Sequence, residues 1–218
     1  MPKLNKRKNL PGVLMIAIKD DPTSEHYVSI SKPSWERLGY NVTLVDAVTP
    51  NTLEEYRKGC GRYAINFGMK TTGRGAPREF TPTEKAIWCS HHNCWRIAER
   101  KKNPAIIVEH DAILLTDVIM SETVPIVHKH WGPDVLIGIG HCGALSKNPE
   151  KGKRISAGVA YVVGANSALT LKKYVPRPVQ TNSDAYLHTS INRRGVWLQH
   201  SVTQYYDPNI GTTIDHGA

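Results

Sequence analysis

The sequence predicts an α/β fold, built on an open, mostly parallel sheet with helices on both faces. Short apolar segments rich in β-branched residues, typical of buried parallel strands, alternate with longer segments of helical periodicity. The first strand, helix and second strand follow one another within residues 13–48, which is the arrangement of a βαβ unit. No apolar run approaches the ~18 residues of a membrane span.

The predicted elements follow in order along the chain. Strands are predicted at 13–18, 41–48, 104–114, 134–140, 158–163 and 196–205. Helices are predicted at 24–40, 84–102, 164–175 and 181–195. The first helix contains Pro33, the second is capped by Thr81 or Thr83, and the last is expected to be capped by Ser183.

We expect a single domain over 1–218, with a basic N-terminal tail (about 1–10) and a flexible C-terminal tail (about 207–218). The apolar piece after the basic start is too short for a signal peptide and lacks a cleavage site, so a cytoplasmic location is expected. Peripheral attachment at an inner membrane, or a host cytoplasm for a phage protein, fits the same pattern.

The cysteines favour reduced thiols over a disulfide framework, because Cys60, Cys89, Cys94 and Cys142 are few and scattered. The segment "CSHHNC" at 89–94 resembles a zinc-ligand cluster. Structural zinc sites, however, place their ligands in two pairs separated by a loop. We therefore disfavour zinc at this segment.

The chain is basic, with 28 Lys and Arg against 19 Asp and Glu and a net charge of +9. The excess is clustered, at 3–8, 96–102, 147–154, 171–177 and 192–194. Each cluster taken alone is better explained as a solvated surface, but their summed charge favours an anionic partner.

An apolar strand ends in Glu109, His110 and Asp111, in "AIIVEHDAIL". In open α/β sheets, ligands bind beyond the carboxyl ends of the strands. Side chains alternate along an extended chain, so Glu109 and Asp111 are expected on one side and His110 on the other. Two carboxylates suit Mg²⁺ or Mn²⁺ bound together with substrate phosphates. A salt bridge to a nearby Lys or Arg explains the pattern equally well.

Several rival motifs are absent from the sequence. There is no GxxxxGK[ST] phosphate loop and no GxSxG nucleophile turn, and "GIGHCG" at 138–143 is a poor dinucleotide-binding motif. Metal-assisted group transfer therefore remains as the favoured chemistry.

Several segments, in order, resemble glycosyltransferase family 25, which includes lipooligosaccharide and collagen galactosyltransferases. "VTLVDAVTP" is similar to an early strand of that family, "AIIVEHDAIL" to its strand ending in Glu-Asp-Asp, and "AGVAYVVGANSALTL" to a later element. The segment "FTPTEKAIWCSHHNCWRIAE" is similar to its Ser-His helix through Thr81 or Thr83, Glu84, Cys89, Ser90, His91 and Trp95. The match departs at His110, where the family has Asp, and in the shorter spacing between Cys89 and His91.

The resemblance implies a GT-A-type enzyme that transfers a sugar from a nucleotide-sugar, expected to be a UDP-sugar, to a hydroxyl group. Donor-binding residues would be Ser90, His91, Glu109 and His110. Metal ligands for Mn²⁺ or Mg²⁺ would be Glu109, Asp111 and, more weakly, His200 or His216. Asp184 would take the proton from the acceptor, although a plain helix-start residue explains it equally well.

The acceptor is left open by the sequence. A bacterial surface glycan, such as a lipooligosaccharide, is the first expectation. A hydroxymethylated base in DNA is the alternative, for which the basic clusters would hold phosphates and an aromatic near Phe80 or at Tyr205–Tyr206 would stack on a flipped base. A third hypothesis is a non-catalytic nucleic-acid-binding protein, for which no aromatic stacking platform is visible.

Overall fold

A computed structural model describes residues 10–71, 76–114, 132–141, 160–176, 178–181, 183–194 and 196–204. The strands are β1 (Gly12–Ala17), β2 (Val42–Asp46), β3 (Ala105–Glu109), β4 (Ala112–Leu114), β5 (Leu136–His141), β6 (Ala160–Val163) and β7 (Val196–Gln204). The helices are α1 (Pro22–Glu36), α2 (Leu53–Cys60), α3 (Pro82–Ala98), α4 (Ala165–Lys173) and α5 (Ser183–Arg194), with a 3₁₀ turn at Gly61–Tyr63. Both predicted tails lie almost wholly outside these ranges.

The strands form one sheet in the order β2-β1-β3-β6-β5-β7-β4. β1 is parallel to β2 and β3, and β5 is parallel to β7. β6 is antiparallel to both β3 and β5, and β4 is antiparallel to β7. Among the described strands, β1, β2, β3, β5 and β7 therefore point the same way, which confirms the predicted mostly parallel sheet.

Each face of the sheet has its own core, because successive side chains of a strand point to opposite faces. Leu14 and Ile107 belong to the core beneath α3, α4 and α5. Val13 and Ile106 belong to the core on the other face, which α1 covers with Trp35. Helices on both faces are thus confirmed.

The predicted strand at 104–114 is wrong as a single element. β3 ends at Glu109, and a turn at residues 110–111 separates it from β4, which pairs with β7 instead. The cause lies in α1. Ser31 donates to the carbonyl of His110 and Trp35 donates to that of Ala112 at 2.9 Å, so side chains occupy acceptors that a continuing ladder would need.

The helix boundaries follow local signals closely. Thr81, rather than Thr83, is the N-cap of α3, and it forms a reciprocal capping box with Glu84. Pro33 lies inside α1, as predicted. Ser183 is the first residue of α5 and not its cap, because the helix begins there. No helix in the described ranges has both the length and the apolar character to cross a membrane.

Candidate active site at the carboxyl edge of the sheet

The carboxyl ends of three parallel strands lie level with one another. Ile16 of β1 pairs with Glu109 of β3, and Ala17 pairs with Asp46 at the end of β2. The β1–α1 loop, the β2–α2 loop and the β3–β4 turn therefore meet at one edge. This edge is where open α/β folds bind ligands.

Glu109 faces α3, on the same side of the sheet as Ile107. Its Oε1 lies 3.5 Å from Nε2 of His91, and the side chains are 22% and 1% exposed respectively. Two of the predicted donor-binding residues, 18 positions apart in sequence, are thus in contact. Glu109 keeps one part of its carboxylate open to the edge of the sheet.

A buried chain of polar contacts holds His91 from behind. The indole nitrogen of Trp95 donates to the hydroxyl oxygen of Tyr161 at 2.8 Å, and that oxygen lies 3.1 Å from Nδ1 of His91. Because an indole nitrogen can only donate, the Tyr161 oxygen accepts from Trp95. With Nδ1 of His91 directed to Tyr161, Nε2 is the ring nitrogen that faces Glu109.

Burial raises the pKa of Tyr161 well above its usual value, and the charges of Cys94, Glu109 and Asp184 raise it further, while the bond from Trp95 acts in the opposite direction. Asp184 is half-buried in the first turn of α5, where a carboxylate also suits the helix dipole. Its role as a catalytic base stays a prediction.

His110 points to the opposite face, as the alternation along the strand predicted. Its Nδ1 lies 2.9 Å from the hydroxyl of Ser24, and its ring stacks on Tyr27 at 5.6 Å with an interplanar angle of 9°. Burial lowers the pKa of His110, and the charges of Glu109 and Asp21 only partly oppose that effect. The imidazole is therefore neutral at pH 7.

Asp111 lies in the β3–β4 turn and is partly exposed. Because the chain turns at residues 110–111, the expectation that Glu109 and Asp111 share one side of an extended strand no longer holds. In the described part of the chain, no group of three or more His, Cys, Asp or Glu residues is arranged to hold a metal ion. The donor chemistry of Glu109 and Asp111 nevertheless fits a hard cation that takes its remaining ligands from a diphosphate.

Ser90 is buried and bonds to the main chain. Its hydroxyl accepts from the Val48 amide at 2.9 Å and donates to the Ala86 carbonyl at 3.0 Å. It thereby ties α3 to the loop that follows β2, and its donor-binding role stays a prediction.

His200 lies within β7, two residues before Val202, which pairs with Leu114 of β4. Its side chain is outside the described ones, so its metal role also stays a prediction.

Sequence reasoning missed Tyr161, Ser24 and Tyr27. A tyrosine in the apolar run "AYVV" signals a buried hydroxyl that needs partners, and this could have marked Tyr161. Ser24 and Tyr27 are three residues apart on one helical face, but nothing local links them to His110.

The stacking role suggested for Phe80 is wrong, because Phe80 is 3% exposed and packs against Phe67, with the ring centres 5.4 Å apart. Tyr205 and Tyr206 lie outside the described residues.

Neither a protein-family model nor a curated protein sequence matches this chain. Solved structures do match it. A 4-diphosphocytidyl-2C-methyl-D-erythritol synthase from Anaerococcus prevotii has a TM-score of 0.51 at 10% identity, covering 95% of this chain and 94% of that one. Mouse xyloside xylosyltransferase 1, in its apo form, has a TM-score of 0.46 at 11% identity, covering 90% of this chain and 85% of that one.

At these sequence identities the similarity concerns the fold alone, and only the first match, with a TM-score of 0.51, is used to support the fold. Together with the strand order and the single antiparallel strand between β3 and β5, it establishes the fold class predicted from the sequence. The chain has a GT-A-like α/β fold, with His91 in contact with Glu109 at the carboxyl edge of the parallel strands and with Tyr161 behind it.

Proposed function

We propose that this protein is a glycosyltransferase that moves a sugar from a nucleotide-sugar, most simply a UDP-sugar, to the hydroxyl group of an acceptor. The observation that carries the proposal is the contact between His91 and Glu109, at the carboxyl edge of a GT-A-like sheet. The buried Tyr161 and Trp95 orient this pair, and such support is characteristic of a site that must hold a carboxylate in one position.

Glu109 and Asp111 are the proposed ligands of a divalent metal, Mn²⁺ or Mg²⁺, with His200 as a weaker candidate. When bound, the metal would neutralise charge on the diphosphate leaving group. His91 keeps Glu109 directed to the edge of the sheet. His110 is the remaining proposed donor-binding residue; Ser24 and Tyr27 hold its ring on the face opposite Glu109.

Asp184 is the proposed general base. In the transfer step, the acceptor oxygen forms a bond to the anomeric carbon, the bond from that carbon to the diphosphate breaks, and the acceptor proton passes to Asp184. Its place in the first turn of α5, where the carboxylate is only half-buried, leaves it accessible for this role. A surface glycan is the first proposed acceptor and hydroxymethylated DNA is the alternative.

The test is release of nucleoside diphosphate from a panel of UDP-sugars with Mn²⁺, measured with and without hydroxymethylated DNA. Turnover that requires the metal supports the transferase, and stimulation by that DNA identifies the acceptor. Turnover that the DNA leaves unchanged favours a glycan. If the protein neither binds UDP nor releases it from any sugar tested, the proposal is wrong, and DNA binding without turnover would instead favour a non-catalytic binder.

Three variants assign the residue roles. Glu109→Gln and Asp111→Asn are expected to lower turnover at least a hundredfold and to raise the Mn²⁺ concentration needed for half-maximal rate. Asp184→Asn is expected to lower kcat by a similar factor and to leave UDP binding unchanged. Glu55→Gln, an exposed carboxylate on α2, is the matched control and should retain full activity.

A further inference from the structure

Two basic clusters that lie apart in the sequence meet beside one groove. Lys173 ends α4, and Arg193 and Arg194 end α5. Tyr174 lies between them, with its ring centre 5.5 Å from Nζ of Lys173 and 5.2 Å from Cζ of Arg194. Tyr174 is 56% exposed, so these cations are held at the surface and not in the core.

The groove between α4 and α5 has a volume of about 450 Å³. That volume is within the range of roughly 300–1,000 Å³ found for small-molecule sites. Its floor is apolar, formed by Leu136 and Leu171, which are 5% and 3% exposed. Hydroxyl groups line its sides, from Thr170, Thr189 and Ser190.

Tyr186 also lines the groove, and its side chain is held in place by two contacts. Its hydroxyl donates to the carbonyl of Leu171 at 2.8 Å, and its ring packs against Trp88 at 5.2 Å. Burial raises the pKa of Tyr186 to about 12, although a bond with Ser190 and the charge of Arg194 act in the opposite direction. Tyr186 is therefore neutral and rigid, and it adds no negative charge to the groove.

The charge of the groove is one-sided. Arg193 and Arg194 both line the groove, and none of the described residues that line it is acidic. Among the ion pairs of the described residues, neither arginine takes part. Two guanidinium groups at the mouth of a hydroxyl-lined groove suit an oxyanion carried on a polar body, because guanidinium donors match phosphate geometry.

We propose that the groove between α4 and α5 binds a phosphate-bearing sugar unit. Arg193 and Arg194 contact the phosphate, and the hydroxyls of Thr170, Thr189 and Ser190 bind the sugar. A free sugar phosphate and a phosphodiester unit of a single-stranded nucleic acid share this chemistry. The proposal does not rest on the transferase activity, because the residues that carry it are not among the proposed catalytic and metal-binding residues, although Ala185, next to Asp184, also lines the groove.

The experiment measures two probes against one pair of double variants. Ribose 5-phosphate is titrated by calorimetry, and a fluorescein-labelled hexathymidylate is titrated by anisotropy. Arg193→Ala with Arg194→Ala is compared with Lys32→Ala with Arg37→Ala, which removes the same charge from the opposite face of the sheet. The proposal expects the first variant to weaken binding at least tenfold and the control to stay within twofold of the wild type.

The pattern between the probes identifies the source of the phosphate. Weakened binding of ribose 5-phosphate indicates a free sugar phosphate, and weakened binding of the oligonucleotide alone indicates a phosphodiester unit. In the second case, the slope of log affinity against log salt should also fall by about 1.4, for two lost phosphate contacts on a single strand. Equal affinities of the two double variants, or no binding of either probe to the wild type, would overturn the proposal.

A second variant tests the groove without removing the arginines. Thr189 is exposed on α5 and lines the groove, so Thr189→Glu places a negative charge beside the proposed phosphate. This variant should fold as the wild type does, as measured by thermal unfolding, and should lose binding of the probe that the wild type binds. Retained binding in a folded Thr189→Glu protein would contradict the proposed site.

Discussion

The hydroxyl of Tyr161 connects β6 to α3 directly and to the end of β3 through His91. Tyr161 lies on β6, its two partners His91 and Trp95 lie on α3, and through His91 it reaches Glu109 at the end of β3. His91 and Trp95 are four residues apart, so they share one face of the helix. A tyrosine buried in a sheet is stable only when its hydroxyl is bonded, and here that requirement also orients the site.

We expect Tyr161→Phe to lower the free energy of unfolding by about 1–3 kcal/mol, because it leaves the Trp95 indole and Nδ1 of His91 without their partner in the core. Urea denaturation measures this. Tyr174→Phe, which removes an exposed hydroxyl, is the control and should change stability by less than about 0.5 kcal/mol. If Tyr161→Phe has the stability of the control, the contact chain does not hold the site together.

At the scale of elements, the start of α3 is stabilised by charge as well as by its cap. Glu84 closes the capping box with Thr81 and also bonds to Arg78 and Lys70. Burial acts to raise the pKa of Glu84, but the bonds from Arg78 and Lys70 outweigh it and hold the pKa at about 2. The ionised carboxylate therefore stabilises the folded state.

A pH-dependent loss of stability follows for Glu84→Gln. Glutamine keeps the capping box and loses the ion pairs, so we expect a loss of about 1 kcal/mol at pH 7. Because the folded pKa of Glu84 is below its ordinary value of 4.5, the extra stability of the wild type is present above that pH and disappears as the pH falls toward 2.

Urea denaturation of both proteins from pH 7 down to pH 2.5 checks this prediction. Glu79→Gln, which alters an exposed neighbouring carboxylate, is the control. A difference between wild type and Glu84→Gln that stays constant over this pH range would show that the ion pairs contribute nothing.

The junction of β6 with α4 depends on close backbone contact at Gly164. A Cβ atom there would lie 2.4 Å from the carbonyl oxygen of Gly132 and 2.5 Å from that of Pro133. These are backbone atoms, which cannot move aside without shifting the turn that leads into β5. Gly164→Ala should therefore destabilise the fold by about 1–3 kcal/mol through overpacking.

Gly59→Ala is the matched control, because a Cβ atom at Gly59, in α2, would meet nothing within 4 Å. Alanine is the better helix former by about 1 kcal/mol, so this control should be neutral or slightly stabilising. Thermal unfolding of the two variants, measured side by side, decides the matter. Equal melting temperatures would mean that the turn yields to the added methyl group.

At the scale of the whole molecule, the sheet separates two cores, and α3 is the central helix of the larger one. Cys89 and Cys94 of α3 are both fully buried there. Burial raises the pKa of each thiol to about 12, with a contribution from Cys60 in the case of Cys89. At pH 8, only about one thiol in ten thousand would be the reactive thiolate.

Alkylation of these two thiols should therefore require opening of the whole domain. In concentrated guanidinium chloride, iodoacetamide at pH 8 should alkylate Cys89 and Cys94 fully. Over the same time, we expect both thiols of the native protein to stay unmodified. Peptide mass spectrometry measures both. Rapid modification of the native protein at either position would show that α3 opens independently of the rest of the fold.

The sequence predicted those features that depend on neighbouring residues. The cap of α3 depends on adjacent residues only, so the sequence narrowed it to Thr81 or Thr83, and the structure shows Thr81 in a capping box with Glu84. The alternation of Val13 and Leu14 between the two cores follows from the geometry of a strand. The break after Glu109 was not readable, because Ser31 and Trp35 of a distant helix cause it.

The sequence by itself determined the α/β class, the mostly parallel sheet with helices on both faces and the apolar strand that leads into Glu109, because hydrophobic periodicity acts over a few residues. The helix α2 and the separation of β3 from β4 were not predicted. Only the tertiary structure decided which polar side chains meet. His91 contacts Glu109, and Arg194 stands over Tyr174, across 18 and 20 positions respectively. Such contacts depend on how helices cross a twisted sheet, and that packing is set by the whole core at once.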